Sequence, residues 1–322
     1  MALWNAQDKS NWERETLEKL VLAQVTEQRR TRRWGIFFKL LVFIYLFALL
    51  LLIRGPDLGL ADLWDRDKEP TEHVAVIDIE GLIASATSAN AEDINKTLRK
   101  AFEDDDTRAV MLRINSGGGS PVQAGMIHDE IRRLRSQHED IPVYAVISDV
   151  GASGAYYIAV AADEIYADKG SIVGSIGVRL DSFGLVGLME RWGIERRLFT
   201  AGEKKGFLDP FLPLQEEEVE HVKGVIDQIH DQFINVVREG RGDRLQDNGE
   251  LFSGLVWTGA DSVELGLIDG LGDDRTVARD VIGIERMVVF EPKRTALQLL
   301  LDDLGVAIGN RILNWETAPQ WR

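Results

Sequence analysis

Residues 109–121 read Ala-Val-Met-Leu-Arg-Ile-Asn-Ser-Gly-Gly-Gly-Ser-Pro. Ala109 to Ile114 is a short apolar run of strand type, Asn115 to Ser120 a polar, glycine-rich loop, and Pro121 to Gln137 a segment that predicts a helix. The same succession recurs on both sides. Upstream, Val74 to Ile79 reads as a buried strand and Ala91 to Phe102 as a helix. Downstream, Val143 to Ile147 reads as a third strand, and Ser153 to Ala162 opens a third helix. Short apolar strands alternating with helices predict an α/β fold with a mainly parallel sheet covered by helices. Further on, Leu214 to Glu239 predicts a long amphipathic helix. Val219, Val222, Ile226, Ile229, Phe233 and Val237 share one of its faces, and Glu216, Glu217 and Glu218 sit in the first turns, where the helix dipole favours them. No internal repeat or low-complexity tract interrupts the pattern.

The chain has 322 residues, 45% hydrophobic and 28% charged, enough for one large domain or two small ones with a substantial core. Acidic residues outnumber basic ones 53 to 37, and the net charge of −16 argues against nucleic acid as a partner, since neutralising phosphate needs clustered Lys and Arg. The absence of cysteine excludes disulfides, thiolate metal sites and a cysteine nucleophile. It also suits an extracytoplasmic bacterial protein.

Ile36 to Ile53 is an apolar run broken only by Lys39, close to the length that crosses a bilayer. A buried core helix would show a polar face and this run has none, so residues 35–54 predict one transmembrane anchor. Arg29, Arg30, Arg32 and Arg33 precede it and Asp57, Asp62, Asp65 and Asp67 follow. By the positive-inside rule residues 1–34 are cytoplasmic and the remainder lies outside. Arg54-Gly-Pro-Asp follows the run where a cleaved leader would end in small residues, so the anchor reads as retained. Within the cytoplasmic segment, Asn11 to Gln28 predicts a short amphipathic helix. Residues 55–72 read as a linker, 73–290 as the folded domain and 291–322 as a tail. In that tail Leu297, Leu300, Leu301, Leu304, Ile308 and Ile312 predict an amphipathic helix over Thr295 to Leu313, packed on a neighbouring subunit, on the bilayer surface or on its own core.

Chemistry belongs at the strand ends, where parallel α/β architectures bind their ligands. The loop Asn115-Ser-Gly-Gly-Gly-Ser120 has three readings. It can be a phosphate loop, although no Walker-type Gly-Lys-Ser/Thr follows; an oxyanion hole built of backbone N–H groups; or a plain glycine turn. Asp149-Val-Gly-Ala-Ser153-Gly-Ala155 sits at the same kind of junction. It is close to the hydrolase elbow Gly-x-Ser-x-Gly with Ala155 in the last position, while a serine capping a helix or filling a tight turn would look the same. The histidines, His73, His128, His138, His221 and His230, are poorly spread for a catalytic triad. A lysine is the other available base. Lys205, in Gly202-Glu-Lys-Lys-Gly-Phe-Leu-Asp-Pro210, is either part of an exposed basic turn or a base that must be desolvated to lose its proton, with Phe207, Leu208, Phe211 and Leu212 as the apolar wall.

Five motifs stand in order: Asn115-Ser-Gly-Gly-Gly119, Ala152-Ser-Gly-Ala-Tyr-Tyr-Ile158, Gly174-Ser-Ile-Gly-Val178, Gly202-x-x-Lys205 followed by Pro210-Phe211, and Val256-Trp-Thr-Gly259 with Gly266-Leu-Ile-Asp269. Over roughly residues 72–290 this set resembles the bacterial signal peptide peptidase family of membrane-anchored serine proteases, in its short, single-copy form. The resemblance implies a ClpP/crotonase-like α/β fold preceded by one transmembrane helix, and a Ser/Lys dyad. Ser153 matches the nucleophile, Lys205 the general base, Ser175 a serine that orients the lysine amine, and Gly119 and Gly154 the oxyanion donors. Two positions depart from the family pattern: Gly117 replaces a usual proline and Ala155 a common glycine. Neither removes a catalytic group. The resemblance further implies that no metal or organic cofactor is needed, that the substrates are remnant signal peptides and other membrane-proximal peptides, and that the chain forms a homo-oligomer at the bacterial inner membrane with its catalytic domain outside. The rival readings are a crotonase-like acyl-CoA enzyme and an inactive anchored scaffold.

Overall fold

The computed structural model describes residues 32–47, 72–246 and 249–292. The predicted helices over Asn11 to Gln28 and Thr295 to Leu313 lie outside the described residues, as does most of the linker. Packing divides the chain into two units, Met1–Pro70 and Thr71–Arg322. In the first, residues 32–47 form helix α1, whose side chains are exposed throughout. Among the described residues no helix is long and apolar enough to cross a membrane, and residues 48–54 of the predicted span are not described.

The second unit is an α/β domain. Strands β1 (His73–Glu80), β2 (Thr107–Ser116) and β3 (Val143–Ala152) alternate with helices α2 (Ala91–Glu103) and α3 (Pro121–Gln137), and all three strands pair in parallel. Their continuous apolar runs follow from burial on both faces. Ala75, Ile77 and Ile79 of β1, with Val110, Leu112 and Ile114 of β2, face the main core under α2 and α3. The alternate residues Val74, Val76, Ala109 and Met111 face a smaller core closed by Val277 and Ala278. Asn90 caps α2 through its side chain and Ser120 caps α3, with Pro121 as the first helical residue, so both helices begin where their sequences predict.

Beyond β3 the sheet forks. Tyr144–Ile147 of β3 pair with β4 (Glu164–Ala167), whereas Val150–Ala152 pair with β5 (Ile172–Gly174). Strand β6 (Val256–Thr258) adds antiparallel to β5, β7 (Gly270–Leu271) adds to β4, and β8 (Met287–Val289) lies beside β1. The six-residue helix α4 (Gly154–Ala159) follows β3, a second short helix, α5, spans Val186–Arg191, and the long helix α6 spans Glu216–Arg241. Helix α7 (Gly259–Glu264) leads into the turn that carries Asp269.

That turn braces the domain behind α4. The Arg241 side chain, 1% exposed, donates to both Asp269 carboxylate oxygens at 2.7 and 3.0 Å and to the Gly266 carbonyl at 2.9 Å. Asp269 also accepts the Ile165 N–H of β4, and the buried Tyr156 hydroxyl of α4 donates to the Leu267 carbonyl at 2.6 Å. Burial works to raise the Asp269 pKa, but the Arg241 hydrogen bonds and charge outweigh it and leave the carboxyl below the ordinary range. Asp269→Ala strands a buried guanidinium and should lower unfolding stability by about 3–5 kcal/mol, read from urea denaturation midpoints. The sign with pH follows from the lowered value. The stabilisation is complete above the unfolded carboxyl pKa of about 3.9 and is lost as pH falls through the lower folded value.

Candidate active site

Ser153 stands at the end of β3 with φ 54° and ψ −125°, a conformation an L residue rarely adopts and that costs about 1–3 kcal/mol. Two backbone bonds hold it there: its N–H donates to the Gly174 carbonyl at 2.8 Å, and its carbonyl accepts the Tyr157 N–H at 3.0 Å. Its side chain makes no capping hydrogen bond to α4, so the hydroxyl is not spent on a helix cap. The helix therefore starts at Gly154, one residue later than the sequence suggests.

The glycine loop after β2 lies against this turn. A Cβ on Gly118 (φ 95°) would sit 2.6 Å from the Gly154 nitrogen and 2.8 Å from the Ser153 Cβ, and one on Gly119 (φ 156°) would sit 2.1 Å from the Ile83 carbonyl oxygen. Only glycine fits at either position. The peptide plane joining Gly118 to Gly119 is fixed from one side, because the Gly118 carbonyl accepts the Ile83 N–H at 3.0 Å. In a trans peptide the N–H points opposite to the carbonyl, so the Gly119 N–H is turned away from Ile83. It has no partner among the described residues. Gly154 opens α4, so its own N–H has no intrahelical acceptor. An ideal Cβ on Gly154 would lie 3.3 Å from the Gly119 nitrogen, which brings the two donors together beside Ser153. Two N–H groups placed in this way can hold a negatively charged oxygen.

These groups line a cavity of about 930 Å³. Ser153, Gly119, Gly154 and Ser175 all border it, and Ser175 is itself in a left-handed conformation (φ 50°), its N–H donating to the Leu255 carbonyl at 2.7 Å. Leu82, Tyr157, Ile229 and Phe233 give the cavity an apolar wall, with Gln232 and Arg179 as polar members. None of the five histidines borders it. His128 is buried against the Tyr157 ring, and burial pushes its pKa down; the His230 Nε2 lies 3.1 Å from the Ile176 carbonyl. Among the described residues no group of three or more His, Asp or Glu is arranged to hold a metal ion.

Lys205 does not join them. It lies in an exposed turn closed by its own N–H to the Gly202 carbonyl at 3.1 Å, and it is absent from the cavity wall of its own chain. Its neighbour Lys204 pairs with Glu217, whereas Lys205 has no ion pair among the described residues. The segment around it is unusually apolar for an exposed surface, with Trp192 75% and Phe199 91% exposed and Phe183, Ile194 and Leu214 open as well.

The cavity's walls and ties carry little signal in the sequence. Ile229 and Phe233 belong to the apolar face of α6, which reads simply as core, and Leu82 lies in an irregular loop after β1. Asn115 and Ser116 read as the polar edge of a glycine loop, yet both side chains make defined hydrogen bonds. A polar pair placed directly between a buried strand and three glycines was the available signal.

Similarity to known proteins shows the family. The profile of peptidase family S49 matches residues 135–282, which include Ser153, Ser175 and Lys205. A putative protease of Synechocystis is 31% identical over 261 residues, covering 76% of this chain and 92% of that protein. A putative signal peptide peptidase SppA of Enterococcus faecium is 30% identical over 240 residues, covering 74% of this chain and 68% of that protein. The chain belongs to the signal peptide peptidase family. A Brucella abortus protein named Na(+)/H(+) antiporter NhaA is 46% identical over 214 residues, covering 66% of this chain but only 29% of its own length. The chain thus spans less than a third of that relative, so the match concerns one part of a longer protein.

Proposed function

We propose that this chain is a membrane-anchored serine endopeptidase with a ClpP/crotonase-like catalytic domain and a Ser153/Lys205 dyad. The observation that carries the reading is the strained Ser153 beside two N–H groups that have no partner among the described residues, at the wall of one cavity. Ser153 Oγ attacks the scissile carbonyl carbon as its proton passes to the Lys205 amine. The carbonyl oxygen takes the negative charge and accepts hydrogen bonds from Gly119 and Gly154, each such donor being worth roughly 10²–10³ in rate. Collapse of this intermediate breaks the C–N bond, and the Lys205 ammonium returns the proton to the leaving amine. Lys205 then takes a proton from water, whose oxygen attacks the acyl ester, and returns it to Ser153. Ser175, at the same wall, is suited to hold the lysine amine.

Lys205 is absent from the cavity of its own chain, so the reading assigns the lysine at each cavity to a neighbouring copy. The exposed apolar side chains of the Lys205 segment support a homo-oligomer, since a surface of this kind is ordinarily covered. The apolar wall of Leu82, Ile229 and Phe233 suits hydrophobic peptide side chains, in keeping with signal-peptide remnants and other membrane-proximal peptides as substrates. The test is labelling with a fluorophosphonate, which needs both the nucleophile and the oxyanion donors. Modification mapped to Ser153 is expected. A protein that cleaves peptides but is labelled elsewhere sinks the assignment, and an acyl-CoA enzyme or an inert scaffold would not be labelled at all.

The anchor is part of the proposal: residues 35–54 cross the bacterial inner membrane once, with residues 1–34 in the cytoplasm. The chain has no cysteine, so single substitutions read topology without background. In intact cells with a permeable outer membrane, an impermeant maleimide should label Asp105→Cys and spare Leu20→Cys. The reverse pattern would refute the orientation.

A further inference from the structure

Ser116 is the last residue of β2 and stands in register with Gly151, two positions before the nucleophile. It is 2% exposed. Its hydroxyl donates to the Gly81 carbonyl at 2.5 Å and accepts the Gly118 N–H at 3.0 Å, so it links the end of β1 to the glycine loop. Its neighbour Asn115 reaches the other way, to the Val150 N–H at 3.3 Å and the Asp149 carboxylate at 3.2 Å, where the β2–β3 register slips.

Three successive glycines have the widest conformational freedom a chain can have, and a donor group in them is directional only if each peptide plane is tied. The plane between Gly118 and Gly119 is tied by Ile83. The preceding plane, which carries the Gly118 N–H, is tied by the Ser116 hydroxyl. We infer that Ser116 is a positioning residue of the oxyanion hole: its hydroxyl fixes the Gly118 amide and so aims the Gly119 N–H at the carbonyl oxygen beside Ser153. The inference rests on the serine peptidase reading above, and it assigns this loop's rigidity to a side chain that takes no part in bond making.

The experiment compares wild type with Ser116→Ala in the full-length protein, normalised to folded molecules. Ser116→Ala should lower kcat about 10- to 100-fold with KM within about twofold, since an aimed donor acts in the transition state rather than in substrate binding. Fluorophosphonate labelling of Ser153 should slow by a similar factor, and peptide affinity measured in a Ser153→Ala background should be unchanged by adding Ser116→Ala. A merely structural role would lower the thermal midpoint and leave kcat per folded molecule intact, and that result overturns the inference while the peptidase reading stands. So does a loss confined to KM. If Ser116→Ala does not fold, Ser116→Cys, similar in volume but a weak donor and acceptor, is read by the same criteria. If wild type is not labelled at Ser153, the peptidase reading falls and takes the inference with it.

Discussion

Ser153→Ala should abolish peptide cleavage, with kcat falling by about four to six orders of magnitude, because the other hydroxyls on the cavity wall, those of Ser175, Ser253 and Tyr157, lie outside the Gly151–Gly154 turn. Peptide binding should survive, since the apolar wall and both N–H donors are untouched. The stability consequence is less obvious and tests the geometry separately from the chemistry. At φ 54° alanine carries the same backbone strain as serine, so Ser153→Ala should unfold at nearly the wild-type denaturant midpoint. Ser153→Gly is equally inactive, but it relieves about 1–3 kcal/mol of strain against an entropic cost of roughly 0.5–1 kcal/mol. The glycine variant should therefore be the more stable of the two by about 1 kcal/mol, measured by urea unfolding. Equal midpoints would mean that the nucleophile turn is not strained, and residual cleavage above a thousandth of the wild-type rate would place the nucleophile elsewhere.

What the sequence made legible follows from burial. Strands β1 and β2 are covered on both faces, so their composition is apolar without interruption, and their existence and order need no further information. Helix α3 starts and stops where read, because Pro121 follows a capping serine. Strand β3 runs five residues beyond its apolar core, to Ala152, because Ser148 and Asp149 are polar and exposed where the sheet forks and so carry no strand signal. Strands β5 and β6 are three residues each and contain or adjoin glycines, too short for any period to show. For the site, the residue types at Ser153, Gly119, Gly154 and Ser175 were readable, and the fold gathers all four at one cavity. The ties that aim them were not, since a hydrogen bond such as Ser116 to Gly118 depends on how two loops meet rather than on a periodic pattern. The apolar wall expected around Lys205 also fails to enclose it within one chain: Phe207 and Phe211 remain partly open to solvent. What covers that amine depends on what packs on the segment, which the local sequence does not encode.

That dependence yields the sharpest test of the dyad. Lys205→Ala and Lys205→Arg should each reduce cleavage by at least about 10³-fold while leaving the single-chain fold unchanged, the arginine because a guanidinium remains charged and cannot accept the Ser153 proton. Lys204→Ala should cost little, since that amine is held by Glu217 on the exposed surface. The two inactive variants, Ser153→Ala and Lys205→Ala, then distinguish a site built within one chain from one built between two. If a neighbouring copy brings its lysine into the cavity, dissociating the two inactive proteins, mixing them in equal amounts and reassembling them creates some sites with an intact serine from one chain and an intact lysine from the next. In a cyclic head-to-tail assembly with random mixing, about a quarter of the sites are complete, so the mixture should recover about a quarter of wild-type activity. Assembly mass should match that of the unmixed proteins. Recovery in the mixture with none in either parent would establish the shared site. An inactive mixture whose labelled subunits demonstrably exchange would show that Ser153 and Lys205 meet within one chain, and the exposed Lys205 turn would then have to close onto its own cavity before catalysis.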